Sequence, residues 1–182
     1  YLFVLFTITA LLEIQIEGRD GWAKNLPCWR PKPDSLVAKT YARFMGGKEL
    51  TGYHAAIFIL SLAILHLPFA AGIGWTLVKE LEVLSSYFLV CVLWDFLWFV
   101  WNPHYGLKRF KPEFIWWHKK WIGPIPADYP SGLAVSIVFA LIAMAFGGTD
   151  IIARWGITLG IFGGLTLISC LIASLAVRGG QR

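Results

Sequence analysis

The segment Leu93–Trp121, LWDFLWFVWNPHYGLKRFKPEFIWWHKKW, decides the fold because it passes from an apolar run into a basic, Trp-rich segment. The apolar run contains one carboxylate, Asp95, and it ends at Asn102 and Pro103. This transition is typical of a membrane helix that ends at the lipid–water interface, where Trp is enriched. A carboxylate inside such a run is costly in lipid, so Asp95 is expected to have a specific role.

The composition of the whole chain agrees with a membrane protein. Of its 182 residues, 57% are hydrophobic and 15% are charged, against roughly 45–50% and about 25% in typical globular domains. The net charge of +5 comes from basic residues that flank apolar runs, which favours membrane topology and argues against nucleic acid as a partner. The three cysteines are far apart in sequence, so neither a disulfide framework nor a thiolate zinc site is expected.

Five apolar runs approach or exceed the roughly 20 residues that a transmembrane helix needs. The predicted fold class is therefore an all-α integral membrane protein, a single-domain bundle of five transmembrane helices with two cytoplasmic interfacial segments. A short surface helix is expected over 35–45, and Pro68 is expected to kink the second span. The spans are about 1–17, 50–77, 83–101, 131–146 and 151–177, and the cytoplasmic segments are 18–49 and 102–130.

The distribution of basic residues predicts the topology. Fourteen of the sixteen Lys and Arg residues lie on one side of these spans, and the positive-inside rule makes that side cytoplasmic. The N-terminus is then outside, the C-terminus and basic loops are cytoplasmic, and the expected location is a prokaryotic plasma membrane. The chain begins at Tyr1, not at Met, so the first span can be incomplete.

This topology places several acids and histidines at one depth near the cytoplasmic side. Glu13 and Glu17 lie at the end of the first span, His54 lies one turn into the second, and Asp95 lies about 10 Å inside the third. Such side chains are ligands for Fe, Mn or Zn, and they can also act as general acids and bases. We expect Glu13, His54 and Asp95 to share a polar pocket as catalytic candidates. The metal-ligand candidates are Glu13, Glu17, His54, Asp95 and His104.

A purely structural interpretation of these residues has equal weight. Asp95 can pair with a cation of a neighbouring helix, as buried acids must. His118, between two interfacial residues, is expected to reach water or headgroups, and His66 is expected to be a hydrogen-bonded core histidine. The chain contains no HExxH, P-loop or GxSxG motif that would favour one chemistry.

Aromatic side chains cover all faces of the third span. Trp94, Trp98 and Trp101 are therefore candidates to line a site for a flat apolar ligand such as a lipid, quinone, carotenoid or chlorophyll. Filling of space between helices is the alternative explanation.

The last span carries three glycines at four-residue spacing, Gly156, Gly160 and Gly164. Small residues along one stripe let two membrane helices approach closely. The sequence favours packing against the first or fourth span of the same chain, and a second copy or a partner subunit is the alternative.

Three classes of function remain open from the sequence. The first is a small membrane enzyme, metal-dependent through Fe, Mn or Zn, that acts on a lipid-soluble substrate. The second is an accessory or assembly subunit of a larger pigment- or quinone-associated membrane complex. The third is a transporter, which would need two or more copies to build a pathway.

Overall fold

The computed structural model describes residues 1–179, and side chains as far as residue 176. The C-terminal residues 180–182, which the sequence predicts on the cytoplasmic side, lie outside this range. The regular secondary structure of the described residues is helical, apart from one short hairpin in which Trp121–Ile122 pairs antiparallel with Ile125–Pro126. A 3₁₀ turn covers Leu107–Arg109. The α-helices are α1 Leu2–Glu17, α2 Leu36–Phe44, α3 Gly52–Leu65, α4 Leu67–Ala70, α5 Leu77–Trp101, α6 Asp128–Ala145 and α7 Ile151–Gly179.

Three of these helices are long and apolar enough to cross a membrane: α5, α6 and the Ile151–Ala176 part of α7. The prediction of five such spans is not confirmed. Helix α1 has 16 residues and α3 has 14, which correspond to about 24 and 21 Å of helix. Both are shorter than the hydrocarbon core of about 30 Å.

The predicted second span, 50–77, was wrong as one helix because the helix breaks near its middle. Helix α3 ends at Leu65, and the four-residue α4 carries Pro68 in its first turn. Proline has no N–H to donate and its ring clashes with the preceding turn, so the earlier helix cannot continue through it. Gly72 then has a φ of 97°, and the chain is not helical again until Leu77.

The third predicted span corresponds to α5, which begins at Leu77, six residues before the predicted start at residue 83. The Thr76 side chain accepts a hydrogen bond from the backbone N–H of Lys79 at 3.2 Å, and Glu80 lies in the first turn. An N-cap and an early acidic residue both stabilise a helix start. These polar residues therefore belong to α5 and not to a turn before it.

Helix α5 is the centre of the bundle and packs against α1, α3, α6 and α7. The face of α1 toward α5 carries Phe6, Ala10 and Ile14, which are all buried. Their four-residue spacing makes one stripe on a helix. Glu13 lies next to this stripe, three residues after Ala10. The packing that builds the core therefore also buries an acid.

Helices α5 and α6 approach each other over small residues. A Cβ on Gly132 would lie 2.6 Å from the Val92 side chain, so this position has no room for a larger residue. Nearby, the hydroxyl of Ser85 donates to the backbone oxygen of Ser136, and Ser136 donates back to Ser85. Trp155 of α7 donates to the same Ser136 hydroxyl at 2.9 Å. Reciprocal bonds of this kind join helices that hydrophobicity alone cannot hold together in lipid.

One end of the bundle, here called the polar end, collects the C-termini of α1 and α5, the N-termini of α3 and α6, and the connecting segments 18–51 and 102–127. Asn102 joins the segment after α5 to the segment after α1. Its side chain donates to the Gly18 oxygen at 3.0 Å and accepts from the His104 backbone N–H. The short helix predicted over 35–45 is present as α2, and the Ser35 side chain caps it by accepting from the Ala38 N–H.

The glycine stripe of α7 faces away from the rest of the chain. A Cβ added at Gly156, Gly160 or Gly164 would meet no atom within 4 Å, and all three residues are exposed. The preference for packing inside one chain was therefore wrong. Helix α7 contacts α5 and α6 through other faces, such as the buried Phe162 and Ile151.

Candidate functional site

A cavity of about 280 Å³ lies at the polar end, between α1, α3, α5, α6 and the segments that connect them. Its walls combine aromatic and aliphatic side chains with an unusual number of acids and histidines. The ionisable residues that line it are Glu13, Glu17, Lys48, His54, Tyr87, Cys91, Asp95, His118, Asp128 and Tyr129. Glu13, His54 and Asp95, which the sequence predicts at a similar depth in three different helices, thus line one cavity, as expected.

Glu13, Glu17 and His54 converge at one wall. The Nε2 atom of His54 lies 3.4 Å from Oε1 of Glu17 and 4.0 Å from Oε1 of Glu13. All three residues can offer one ligand atom to a common point, with these atoms within 4.8 Å of one another. The arrangement follows from the sequence, since residues four apart on α1 share a face and His54 lies one turn into α3.

The loop after α1 holds Glu17 in place. The backbone N–H groups of Trp22 and Ala23 donate to its two carboxylate oxygens, at 3.1 and 2.5 Å. Both donors have left-handed φ values, 48° and 50°, which cost roughly 1–3 kcal/mol each for residues other than glycine. Consecutive N–H groups in such a turn form a concave site for an anion, so the loop geometry serves to fix one carboxylate.

Gly21 lets this loop approach the 102–127 segment. A Cβ at Gly21 would lie 2.4 Å from the Trp117 ring, and its φ is 64°. Arg30 then fastens the loop from the other side, because its guanidinium donates to the backbone oxygens of Ala23 and Leu26. The sequence GWAKNLP therefore encodes a fixed turn rather than a free linker.

His54 is oriented by two neighbours. Its Nδ1 lies 2.8 Å from the Thr51 hydroxyl, and its ring stacks on Trp22 with centroids 3.9 Å apart. When Nδ1–H donates to Thr51, the Nε2 lone pair points toward the two glutamates. Metal-bound histidines are generally held in this way by a second hydrogen bond and by packing.

Glu13 is buried, with an accessible fraction of 7%, and its separation from His54 is longer than a hydrogen bond. Trp94 and Tyr53 lie beside its carboxylate, yet the indole N–H and the hydroxyl have no partner among the described residues. A buried carboxylate that lacks a close cation is a costly arrangement. A cation at the converging ligand atoms would compensate for it.

The three ligand atoms lie within 4.8 Å of one another, so small shifts would let all of them reach one transition metal. Metal–ligand bonds of about 2.0–2.2 Å place neighbouring ligand atoms roughly 3–3.5 Å apart. The 3.4 Å pair already meets this spacing, and the 4.0 Å pair needs a shift of less than about 1 Å. Two carboxylates and one imidazole suit Fe, Mn or Zn, which matches the predicted metals.

A second polar group forms the facing wall of the cavity. Nε2 of His118 lies 3.2 Å from Asp95, and Nδ1 lies 3.0 Å from Asp128. The Tyr129 hydroxyl donates to Asp95 at 2.5 Å, and Lys48 lies 2.9 Å from Asp128. Burial alone would lower the pKa of His118, but the two carboxylates raise it above its ordinary value. As an imidazolium, His118 donates to both of them.

The sequence expectations for His118 and His104 need correction. His118 was expected to reach water or headgroups, but it is 3% accessible and paired on both ring nitrogens. The segment just before the hairpin folds back onto α5, where His118 contacts Asp95, and sequence position alone does not reveal this. His104 is exposed and outside the cavity, and its backbone binds Asn102 and Arg109.

Among the aromatic candidates, Trp94 and Trp98 line the cavity, whereas Trp101 does not. His66 is hydrogen-bonded, as predicted, to the Leu62 oxygen and to Glu80 at 3.0 Å. It is however partly exposed at the opposite end of the bundle, and so it is not a core residue.

Sequence reasoning missed Lys48, Asp128 and Tyr129. Lys48 is 5% accessible, lies 4.6 Å above the Trp22 ring and pairs with Asp128. The sequence did contain a signal for them: Lys48 and Asp128 come just before apolar runs, at the same end of the predicted bundle as Glu17 and His54. Asp128 and Tyr129 are the first two residues of α6, where the Tyr129 hydroxyl reaches Asp95 of α5.

No family model, no curated protein and no solved structure matches this chain.

Proposed function

We propose that this chain is a polytopic membrane enzyme that binds one transition metal, Fe, Mn or Zn, through Glu13, Glu17 and His54, and acts on a lipid-soluble substrate. The observation that carries the proposal is the convergence of these three ligand atoms within 4.8 Å on the wall of a cavity. The three apolar helices of spanning length support a place in the membrane.

The two walls of the cavity give complementary chemistry. A metal on the first wall would polarise a substrate oxygen as a Lewis acid. Across the cavity, His118 between Asp95 and Asp128 is an acid–base group, and the Tyr129 hydroxyl is a second proton donor. The arrangement supports metal-assisted acid–base chemistry at an oxygen-bearing group.

The polar end is proposed to face the cytoplasm. Residues 19–48 and 108–120 carry twelve Lys and Arg residues, whereas Lys79 and Arg154 lie near the opposite end. Under the positive-inside rule, the cavity then serves the cytoplasmic leaflet. The N-terminus would be outside.

The test is the metal content of the purified protein, measured by elemental analysis after expression with Fe, Mn and Zn available. We expect about one equivalent of one metal in the parent protein. Glu17→Gln and His54→Ala should each lower metal affinity by at least roughly 10–100-fold, since even residues that only support metal ligands cost that much. Glu113→Gln is the matched control, because Glu113 is exposed and outside the cavity.

A protein that stays free of metal after titration with all three ions would overturn the metal site. Equal metal content in Glu17→Gln and Glu113→Gln would do the same, because it would place the ion elsewhere. Absorption spectra of the same samples add an independent readout for bound iron.

A subunit role is the second candidate, and the exposed glycine stripe of α7 favours it. A Cβ added at Gly156, Gly160 or Gly164 would have no neighbour within 4 Å on the part of the chain that the structure describes. Such a stripe suits close packing against a helix of a second copy or of a partner subunit. The particle mass in detergent separates a monomer from an assembly.

A further inference from the structure

The cavity has a mouth on the side of the bundle, between α2 and α6. Most residues that line it are buried or partly buried, but Phe44, Ser131 and Val135 are exposed. Phe44 is 81% accessible at the end of α2, and Val135 is 38% accessible on α6. The opening is thus bordered mainly by apolar side chains.

The position of Val135 places part of this mouth at the depth of lipid chains. Val135 is seven residues from Asp128, the first residue of α6, which corresponds to about 10 Å along the helix. Because α6 is long and apolar enough to cross a membrane, its outer surface at this depth would face hydrocarbon rather than water.

The cavity also changes in polarity along α5. Its deep part, toward the middle of the bundle, is lined by Tyr87, Phe88 and Val92. Eight residues separate Tyr87 from Asp95, or about 12 Å of helix, and at Asp95 the acids and histidines begin. An elongated molecule with one polar and one apolar end fits this gradient in a single orientation.

Two further observations limit the polar end of such a molecule. Trp94 and Trp98 line the cavity, and their buried indole N–H groups have no partner among the described residues. The Trp98 indole is available as a donor to an oxygen of the ligand, whereas the Trp94 indole lies beside the Glu13 carboxylate. The volume of about 280 Å³ lies at the lower limit of ordinary ligand sites, so most of a long chain must stay outside.

We infer that the substrate is a single-chain lipid with a small oxygen-bearing head group, and that it enters sideways from the bilayer between α2 and α6. This inference rests on the proposed function and names its substrate class. The head group lies between the two polar walls, and the chain leaves through the mouth at Val135 into the surrounding lipid.

The probe for this route is a long-chain fatty alcohol with a diazirine on its alkyl chain, several carbons from the hydroxyl group, added to the full chain in phosphatidylcholine vesicles. After photolysis, mass spectrometry locates the labelled residues. We expect saturable labelling of the cavity-lining part of α5 near Phe88 and Val92, and competition by the unlabelled alcohol.

Val135→Trp should narrow the mouth and lower this labelling roughly tenfold, the equivalent of about 1.4 kcal/mol in affinity. Val138→Trp is the control, because Val138 is exposed on the same helix but does not line the cavity. A second pair guards against misfolding of α6: Phe44→Glu places a charge at the mouth, and Leu36→Glu makes the same change on an exposed α2 residue away from it.

Labelling spread evenly over outward helix faces, or lost equally in each variant and its control, overturns the inference. Cavity labelling in a protein that binds no metal sustains the entry route and ends the metal proposal. Bound metal without cavity labelling overturns the entry route and leaves the metal site standing.

Discussion

His118 shows how one side chain can organise a polar wall inside an apolar bundle. Its imidazole has a carboxylate on each ring nitrogen, Asp95 at 3.2 Å and Asp128 at 3.0 Å. About 28% of the Asp95 side chain is accessible, but Asp95 lines the cavity, so that surface faces its interior. Sequence reasoning ranked Asp95 above His118 in importance, whereas the structure makes the two residues interdependent.

We predict that His118→Ala lowers the free energy of unfolding in detergent by about 3 kcal/mol, because it leaves two carboxylates at the cavity without their shared partner. His104→Ala is the same substitution at an exposed position, where the effect should stay within about 0.5 kcal/mol. Thermal melting curves of both variants check this. Equal melting temperatures would show that the His118 pairs contribute nothing to stability.

The polar residues were predictable from sequence only where helix spacing places them. Glu13 and Glu17 are four apart on α1 and His54 follows a helix cap, so depth alone brings them together. Lys48 lies in the segment before α3, and Tyr129 follows the segment that connects α5 to α6; the path of both segments depends on tertiary contacts, such as Gly21 against Trp117. No periodicity in the sequence records such a contact.

At the scale of elements, the contact of α5 with α6 and α7 depends on a small polar seam. Ser136 is fully buried, donates to the Ser85 oxygen at 2.7 Å and accepts from the Trp155 indole at 2.9 Å. Inside a membrane these bonds add to the dispersion contacts that hold helices together, each by roughly 0.6 kcal/mol on average.

We predict that Ser136→Ala lowers the free energy of unfolding by roughly 1–2 kcal/mol, since one hydroxyl serves two neighbouring helices. The control is Ser174→Ala, because the Ser174 hydroxyl is exposed and binds a carbonyl of its own helix. Unfolding in a mixed-detergent titration compares the two. A loss no larger than that of Ser174→Ala would mean that the seam is incidental.

The helices themselves were predicted with uneven success, and the reasons are local. The short helix α2 was predicted, and Ser35 caps it as sequence reasoning allowed. The second span was predicted too long because its apolar composition continues past Pro68, while the backbone cannot. The start of α5 was predicted too late because charged residues in a first helical turn resemble a polar loop.

At the scale of the whole molecule, the bundle has a packed side and an open side. Helix α5 is surrounded by α1, α3, α6 and α7, whereas α7 exposes large apolar residues such as Leu167, Leu171 and Leu175 together with its glycine stripe. In a bilayer, lipid or another helix covers this side, and the glycines favour a helix.

We predict that Gly160→Leu leaves the melting temperature of the monomer unchanged, because an added side chain at Gly160 meets no atom of this chain. It should shift the detergent-solubilised protein toward a smaller particle if the stripe joins two copies. Light scattering with refractive-index detection measures that mass. A variant with the parental mass shows that α7 does not pack against a second copy through this stripe.

The aromatic lining of the cavity also gives the protein an optical property. Four of its ten tryptophans, Trp22, Trp94, Trp98 and Trp117, border the cavity, and Trp22 stacks directly on His54. A paramagnetic ion bound beside that imidazole would quench a large share of the intrinsic fluorescence, whereas an alkyl chain in the deep part would shift the emission to shorter wavelength. Metal binding and lipid binding can therefore be distinguished in one measurement of tryptophan fluorescence, without any added dye.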